Sequence, residues 1–128
     1  LRPGKVVLYF YPKDDTPGCT LEAQDFNARL ADFTAAGATV IGISKDSVKS
    51  HDKFCKKHGL GIVLASDETG TTCEDYGVWQ EKSMYGKTYM GIQRATFLIG
   101  GDGRVARVWP KVSVKGHADE VLAAVKAL

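Results

Sequence analysis

Cys19 closes the run Thr16-Pro17-Gly18-Cys19, and its neighbours suit a reactive sulfur. Thr16 is a good helix N-cap and Pro17 a good first helical residue. Cys19 then falls at the third helical position, where a capping box carries a glutamate. First-turn N–H groups without intrahelical partners and the positive end of the helix dipole favour negative charge there. The thiolate is the nucleophilic form of cysteine, so the placement favours reactivity. The Thr16 hydroxyl lies within one turn and can donate to the sulfur or to a bound oxygen. Gly18 leaves room beside the sulfur. Pro12 and Pro17 stiffen the loop and remove two backbone donors. The competing reading is an inert, buried cysteine at a helix start.

Stepping outward, residues 5–11 are an almost wholly apolar run of β-branched and aromatic type, read as a strand covered on both faces. Pro12 ends it, and residues 13–15 form a charged loop. A helix then starts at Pro17 and runs to Gly37, with Phe26, Leu30 and Phe33 at i, i+4 and i+7 on one face. Residues 38–44 read as a second buried strand. Asp46 or Ser47 caps the next helix, which runs to Gly59. A short strand follows at 62–64 and a brief helix at 69–76. Residues 79–91 read as irregular, with Trp79, Tyr85, Tyr89 and the distant Trp109 as core or pocket wall. Strands at 94–99 and 104–109 flank Gly100-Gly101-Asp102-Gly103, which is a turn; no helix follows it to make a phosphate cradle. Residues 117–128 form the last helix. The order βαβαβαββα implies a single α/β domain over residues 1–128, with a central mixed β-sheet flanked by helices, an order that suits a thioredoxin-like sheet.

The 128 residues are 44% hydrophobic, enough for one packed core. Basic and acidic residues number 17 and 15, with no basic stripe, which argues against a nucleic-acid partner. No run approaches the ~18 apolar residues of a membrane span. The three cysteines are odd in number and widely spaced, unlike a secreted disulfide framework. Reduced thiols and a cytoplasmic location are therefore expected. Leu1 stands where a methionine would begin a chain, and we read the N-terminus as truncated. His51, Cys55 and His58 share a helical face and could offer metal ligands, but that face is Lys-rich and reads as solvated, with no fourth ligand in view.

The spacing Pro12-x-x-x-Thr16-x-x-Cys19 resembles the active-site signature of the peroxiredoxins. Residues 9–20 (YFYPKDDTPGCT) resemble their Q-type branch, the bacterioferritin-comigratory-protein subfamily. Gly77-Val78-Trp79-x-Glu81-Lys82, Tyr85-Gly86-Lys87 and the block from Gly91 to Ile99 are similar to later blocks of that branch. The resemblance covers nearly the whole chain and implies a thioredoxin-like fold. It further implies a peroxidatic Cys19, a peroxide-binding Thr16, a pocket-shielding Pro12 and an activating Arg94. An arginine there would hold the sulfur ionised and donate to both peroxide oxygens. The implied activity is reduction of hydrogen peroxide and organic hydroperoxides through a Cys19 sulfenic acid, with no cofactor, since the sulfur carries the electrons.

A sulfenic acid needs a second thiol. In part of the branch this cysteine stands where Gln24 stands here, so that pattern is broken. In other members it lies in the next helix, where Cys55 is. Lys53, Lys56, Lys57 and His58 flank Cys55 and are expected to lower its pKa. Cys73, beside Glu74 and Asp75, is the competitor and reads as a packing residue. A Cys19–Cys55 disulfide is expected to require local unwinding of the first turn of the Cys19 helix, of the Cys55 helix, or of both. The resemblance implies recycling by thioredoxin or a similar dithiol reductant, and a monomer. A redox-sensing or binding module without turnover is the alternative. A thiol–disulfide oxidoreductase is disfavoured by the lack of Cys-x-x-Cys.

Overall fold

The apolar run at the start of the chain becomes the middle strand of a five-stranded sheet. We describe residues 4–68 and 70–128 of a computed structural model. In chain order the elements are β1 (Lys5–Phe10), α1 (Pro17–Ala28), α2 (Leu30–Ala35), β2 (Ala38–Ser44), α3 (Val48–His58) and β3 (Val63–Ser66). Then come α4 (Thr72–Asp75), β4 (Trp79–Met84), β5 (Lys87–Ile92), β6 (Ala95–Ile99), β7 (Val105–Trp109) and α5 (His117–Lys126). The sheet order is β3-β2-β1-β6-β7. β1 runs parallel to β2 and antiparallel to β6. The sheet is thus mixed, as the sequence implies.

Strand periodicity divides the core. Val7, Tyr9 and Tyr11 point to one face, where they meet Phe26 of α1, Phe33 of α2, Phe54 of α3 and Val121 of α5. Val6, Leu8 and Phe10 point to the other, against Cys73 of α4 and Val78 and Ile92 beside the β4–β5 hairpin. Burial on both faces is why residues 5–10 show no polar alternation. The turn bearing Cys19 leaves the end of this strand, so its position is set by the best-buried element of the fold.

Three expectations need correction. The helix from Pro17 to Gly37 is two helices, broken at Arg29 (φ −109°, ψ 10°), whose side chain pairs with Asp119 of α5. Phe26 and Phe33 stay on one core face across the break, so the apolar spacing hides it. Residues 79–92 are not irregular. They form a separate antiparallel hairpin, turned by Tyr85 (φ 52°) and Gly86 (φ 76°), both left-handed as a two-residue hairpin turn requires. Of the four aromatics read as core or pocket wall, Trp109 is buried and Trp79 and Tyr89 line a groove, whereas Tyr85 is 98% exposed. Thr69, the expected start of the short helix, and Leu1, on which the reading of the N-terminus rests, lie outside the described residues.

Tyr9 needs Gly42 opposite it on β2. A Cβ at Gly42 would fall 2.7 Å from the Tyr9 ring and 2.9 Å from Leu64. Gly42→Ala should therefore lower stability by about 1–3 kcal/mol, the usual range for overpacking. Urea denaturation measures it; an unchanged midpoint would show that Tyr9 is free to move.

Candidate active site

The sulfur is placed by the helix start that the sequence implies. Thr16 is the N-cap in extended geometry (φ −95°, ψ 155°), and Pro17 is the first residue of α1. Cys19 is third and is 2% exposed. The Thr16 side chain does not cap the helix. Its hydroxyl donates to the Lys13 carbonyl at 2.9 Å. That bond commits the hydroxyl proton within the loop and leaves the oxygen able to accept rather than donate. Pro12 is exposed and lines a groove of about 330 Å³ with Trp79, Lys82, Tyr89, Met90 and Ile92. Hairpin and loop thus meet across this groove.

Arg94 crosses from the residue before β6 and reaches Cys19 Sγ with one guanidinium nitrogen, at 3.2 Å. The space left at Gly18 belongs to this arginine: a Cβ there would stand 3.2 Å from the same nitrogen. The second guanidinium nitrogen donates to Glu22 Oε1 at 2.5 Å. Glu22 lies one turn beyond Cys19 on α1 and is 1% exposed. Its other oxygen has no hydrogen-bond partner among the described residues. Burial pushes the Glu22 carboxyl up to about 7, with Arg94 pulling the other way. Sequence reasoning missed Glu22; a buried acid one turn after the cysteine is visible only as Cys-x-x-Glu, which on a helix reads as an ordinary exposed acid. It also missed Lys82, whose pKa is lowered by burial and then by the Arg94 charge, while Cys19 opposes both.

The other thiols differ. Cys19, Cys55 and Cys73 are all unbridged. Cys73 is fully buried, and burial followed by Asp67 pushes its thiol up to about 12. Cys55, in α3, is half-buried, and here an expectation fails. Its thiol is pushed up, not down, by burial and then by Asp14 and Asp52. The reason is visible in the flanking cations: Lys57 and His58 turn away to Asp15, at 2.7 and 2.9 Å.

His51 also departs from expectation. It is 3% exposed, not solvated. Nδ1 sits 2.7 Å from Asp14 Oδ2, and Nε2 sits 3.1 Å from the Ala65 carbonyl. Two acceptors demand two N–H donors, which is the imidazolium form. Burial opposes that charge, but Asp14 outweighs it and the pKa is raised. The two histidines of the suspected metal face are thus held by Asp14 and Asp15.

A thiol at a helix start, touched by a guanidinium that a buried carboxylate holds, can make a nucleophilic attack on a small electrophile. The AhpC/TSA family model matches residues 1–108. The chain is 56% identical over 122 residues to peroxiredoxin Bcp of Xanthomonas campestris, covering 95% of this chain and 76% of that one. It belongs to the AhpC/TSA family, in its peroxiredoxin Q/Bcp branch. Peroxiredoxin Bcp of Bacillus subtilis is 48% identical over 121 residues, covering 94% of this chain and 77% of that protein. A solved structure of Xanthomonas campestris peroxiredoxin Q superposes with a TM-score of 0.93 at 54% identity, over 98% of this chain and 80% of that one. The peroxiredoxin here is a thiol peroxidase with the thioredoxin-like fold.

The Glu22 carboxyl makes a pH prediction. Its folded pKa lies above the ordinary 4.5, so the unfolded chain ionises first as pH rises. The native state therefore loses stability between about pH 4.5 and 7. Denaturation midpoints of Glu22→Gln and the parent should converge at the acid end and separate, parent lower, toward pH 7. Parallel curves would mean that Glu22 is ionised throughout.

Proposed function

We propose that Cys19 is the peroxidatic thiol and that Arg94, Thr16 and Pro12 form the peroxide pocket. The observation that carries this reading is the Arg94 guanidinium 3.2 Å from Cys19 Sγ. The thiolate attacks the terminal oxygen of a hydroperoxide. An S–O bond forms and the O–O bond breaks; sulfur is oxidised and oxygen reduced. Arg94 donates to the oxygens as charge moves onto the leaving one, which takes a proton and departs as water or alcohol. Thr16, its own proton committed to Lys13, accepts from the hydroperoxide O–H. Pro12 walls the loop side. The bacterioferritin comigratory protein of Xanthomonas campestris, 52% identical with a TM-score of 0.93, was solved in a study of its alkyl peroxide reduction. The apolar side chains near Pro12, Trp79, Met90 and Ile92, suit the alkyl part of such a substrate.

Cys55 is the resolving thiol in this reading. Its sulfur attacks the Cys19 sulfenic sulfur, the S–O bond breaks, and hydroxide leaves as water with the proton Cys55 gives up. Cys73 is unsuited, being fully buried with a thiol pushed up to about 12. The Xanthomonas campestris protein was solved as two single cysteine-to-serine mutants, at positions as far apart in that chain as Cys19 and Cys55 in this one. Thioredoxin or a similar dithiol then reduces the disulfide, in a monomer in a compartment that keeps thiols reduced. Among the described residues no helix is long and apolar enough to cross a membrane.

Stopped-flow peroxide titration tests each role. Cys19→Ser should abolish turnover with the fold intact. Arg94→Ala should slow Cys19 oxidation by roughly 10²–10³-fold, as loss of one preorganised donor does elsewhere. Cys55→Ser should oxidise Cys19 at the parent rate and stop after one turnover. Continued turnover by Cys19→Ser sinks the assignment, and continued thioredoxin-linked turnover by Cys55→Ser sinks the resolver.

A further inference from the structure

Asp14 and Asp15 are neighbours in the loop that precedes Cys19, yet they grip opposite ends of α3. Asp14 is buried and accepts from Tyr11 Oη at 2.5 Å, from Ser50 Oγ at 2.8 Å and from His51 Nδ1 at 2.7 Å. Ser50 and His51 belong to the first turns of that helix. Asp15 reaches Lys57 and His58, in its last turn, at 2.7 and 2.9 Å. Cys55 lies between the two grips. Such a splay needs an unusual backbone: Asp15 sits at φ 59°, a left-handed conformation that few non-glycine residues adopt and that aspartate tolerates best.

These polar contacts carry much of the attachment between loop and helix. A cleft of about 410 Å³, lined by Asp14, Asp15, Ser50, Lys53, Phe54 and Lys57, opens between them. Phe54 is the residue of α3 that enters the core cluster. Beyond its first residue, Val48, the helix is polar outward, with Asp52, Lys53, Lys56 and Lys57 exposed.

We propose that Asp14 and Asp15 are positioning residues that clasp α3 to the loop and hold Cys55 back until the loop yields. The inference rests on Cys55 as the resolving thiol. While the clasp is shut, Cys55 is half-buried and its proton is held by burial and by the Asp14 and Asp52 charges. When the loop opens, the same movement frees the helix and carries the Asp14 charge away from the Cys55 sulfur. Disulfide formation then follows: the S–S bond forms, the sulfenic S–O bond breaks, and water leaves. One pair of adjacent residues thus links the peroxidatic loop to the availability of the second thiol.

The test loosens the clasp from the helix side, leaving the peroxide pocket untouched. Lys57→Met/His58→Gln removes both partners of Asp15, and Asp15→Asn removes the charge while keeping a residue that tolerates the left-handed backbone. Each should speed Cys19–Cys55 disulfide formation about twofold to fivefold, the range for exposed ion pairs, with Lys57→Met/His58→Gln leaving Cys19 oxidation unchanged. The concentration of peroxide that drives Cys19 to sulfinic acid should rise by the same factor. Raising the salt concentration should speed the step in the parent and not in the double variant. An unchanged or slower disulfide step in both variants overturns the clasp. Absence of a Cys19–Cys55 disulfide in the parent, read by mass mapping after one equivalent of peroxide, overturns the resolver and the clasp together.

Discussion

A guanidinium that touches a buried sulfur must be held from behind, because its charge and five N–H groups are too polar to leave unsupported away from water. Glu22 provides that support, one turn beyond Cys19 on the same helix. The rest of the site follows from this contact. α1 must carry both the thiol and the carboxylate, so its start must be sharply defined, and Thr16 and Pro17 define it. Gly18 leaves Arg94 its room, since a Cβ there would crowd the guanidinium at 3.2 Å. The strand that delivers Arg94 must lie beside the strand that ends at the loop, and β6 does pair antiparallel with β1. The sheet therefore brings together two positions 75 residues apart in sequence.

Burial makes this arrangement strong and conditional at once. A buried carboxylate with one oxygen unpartnered resists ionising, while the arginine beside it urges the opposite. The pair lies close to the balance between these effects, and under the proposed mechanism the same arginine must also attend to a peroxide. The Asp14–His51 pair on the other side of the loop is differently balanced: three donors satisfy Asp14 and its pKa is lowered despite burial. The loop thus stands between one carboxylate that burial disfavours and another that hydrogen bonds secure.

Much of this was legible in residue types. The buried strands announced themselves by continuous apolar runs, and the helix start by Thr16-Pro17. Arg94 was reachable only through resemblance, because nothing local distinguishes it from a surface arginine. The β4–β5 hairpin escaped because a ribbon exposed over much of both faces has no apolar alternation to read; Glu81, Ser83, Thr88 and Tyr89 are all exposed. His51 escaped for the opposite reason. Its neighbours in sequence, Asp52 and Lys53, are exposed, and its partner Asp14 lies 37 residues away. The direction of the Cys55 shift was misjudged because its flanking cations were counted as free, when Asp15 already engages two of them.

Cys73 ends as the quietest of the three sulfurs, and its quietness has a use. It is packed against the face of the sheet opposite to α1 and α3, with its backbone N–H fixed on Asp67 at 2.8 Å. The five-stranded sheet itself is an insulating wall between this sulfur and the other two. Scrambled pairings are thereby discouraged by architecture and not only by reactivity. Under the proposed mechanism, the sheet leaves two of the three thiols on one side, free to meet each other.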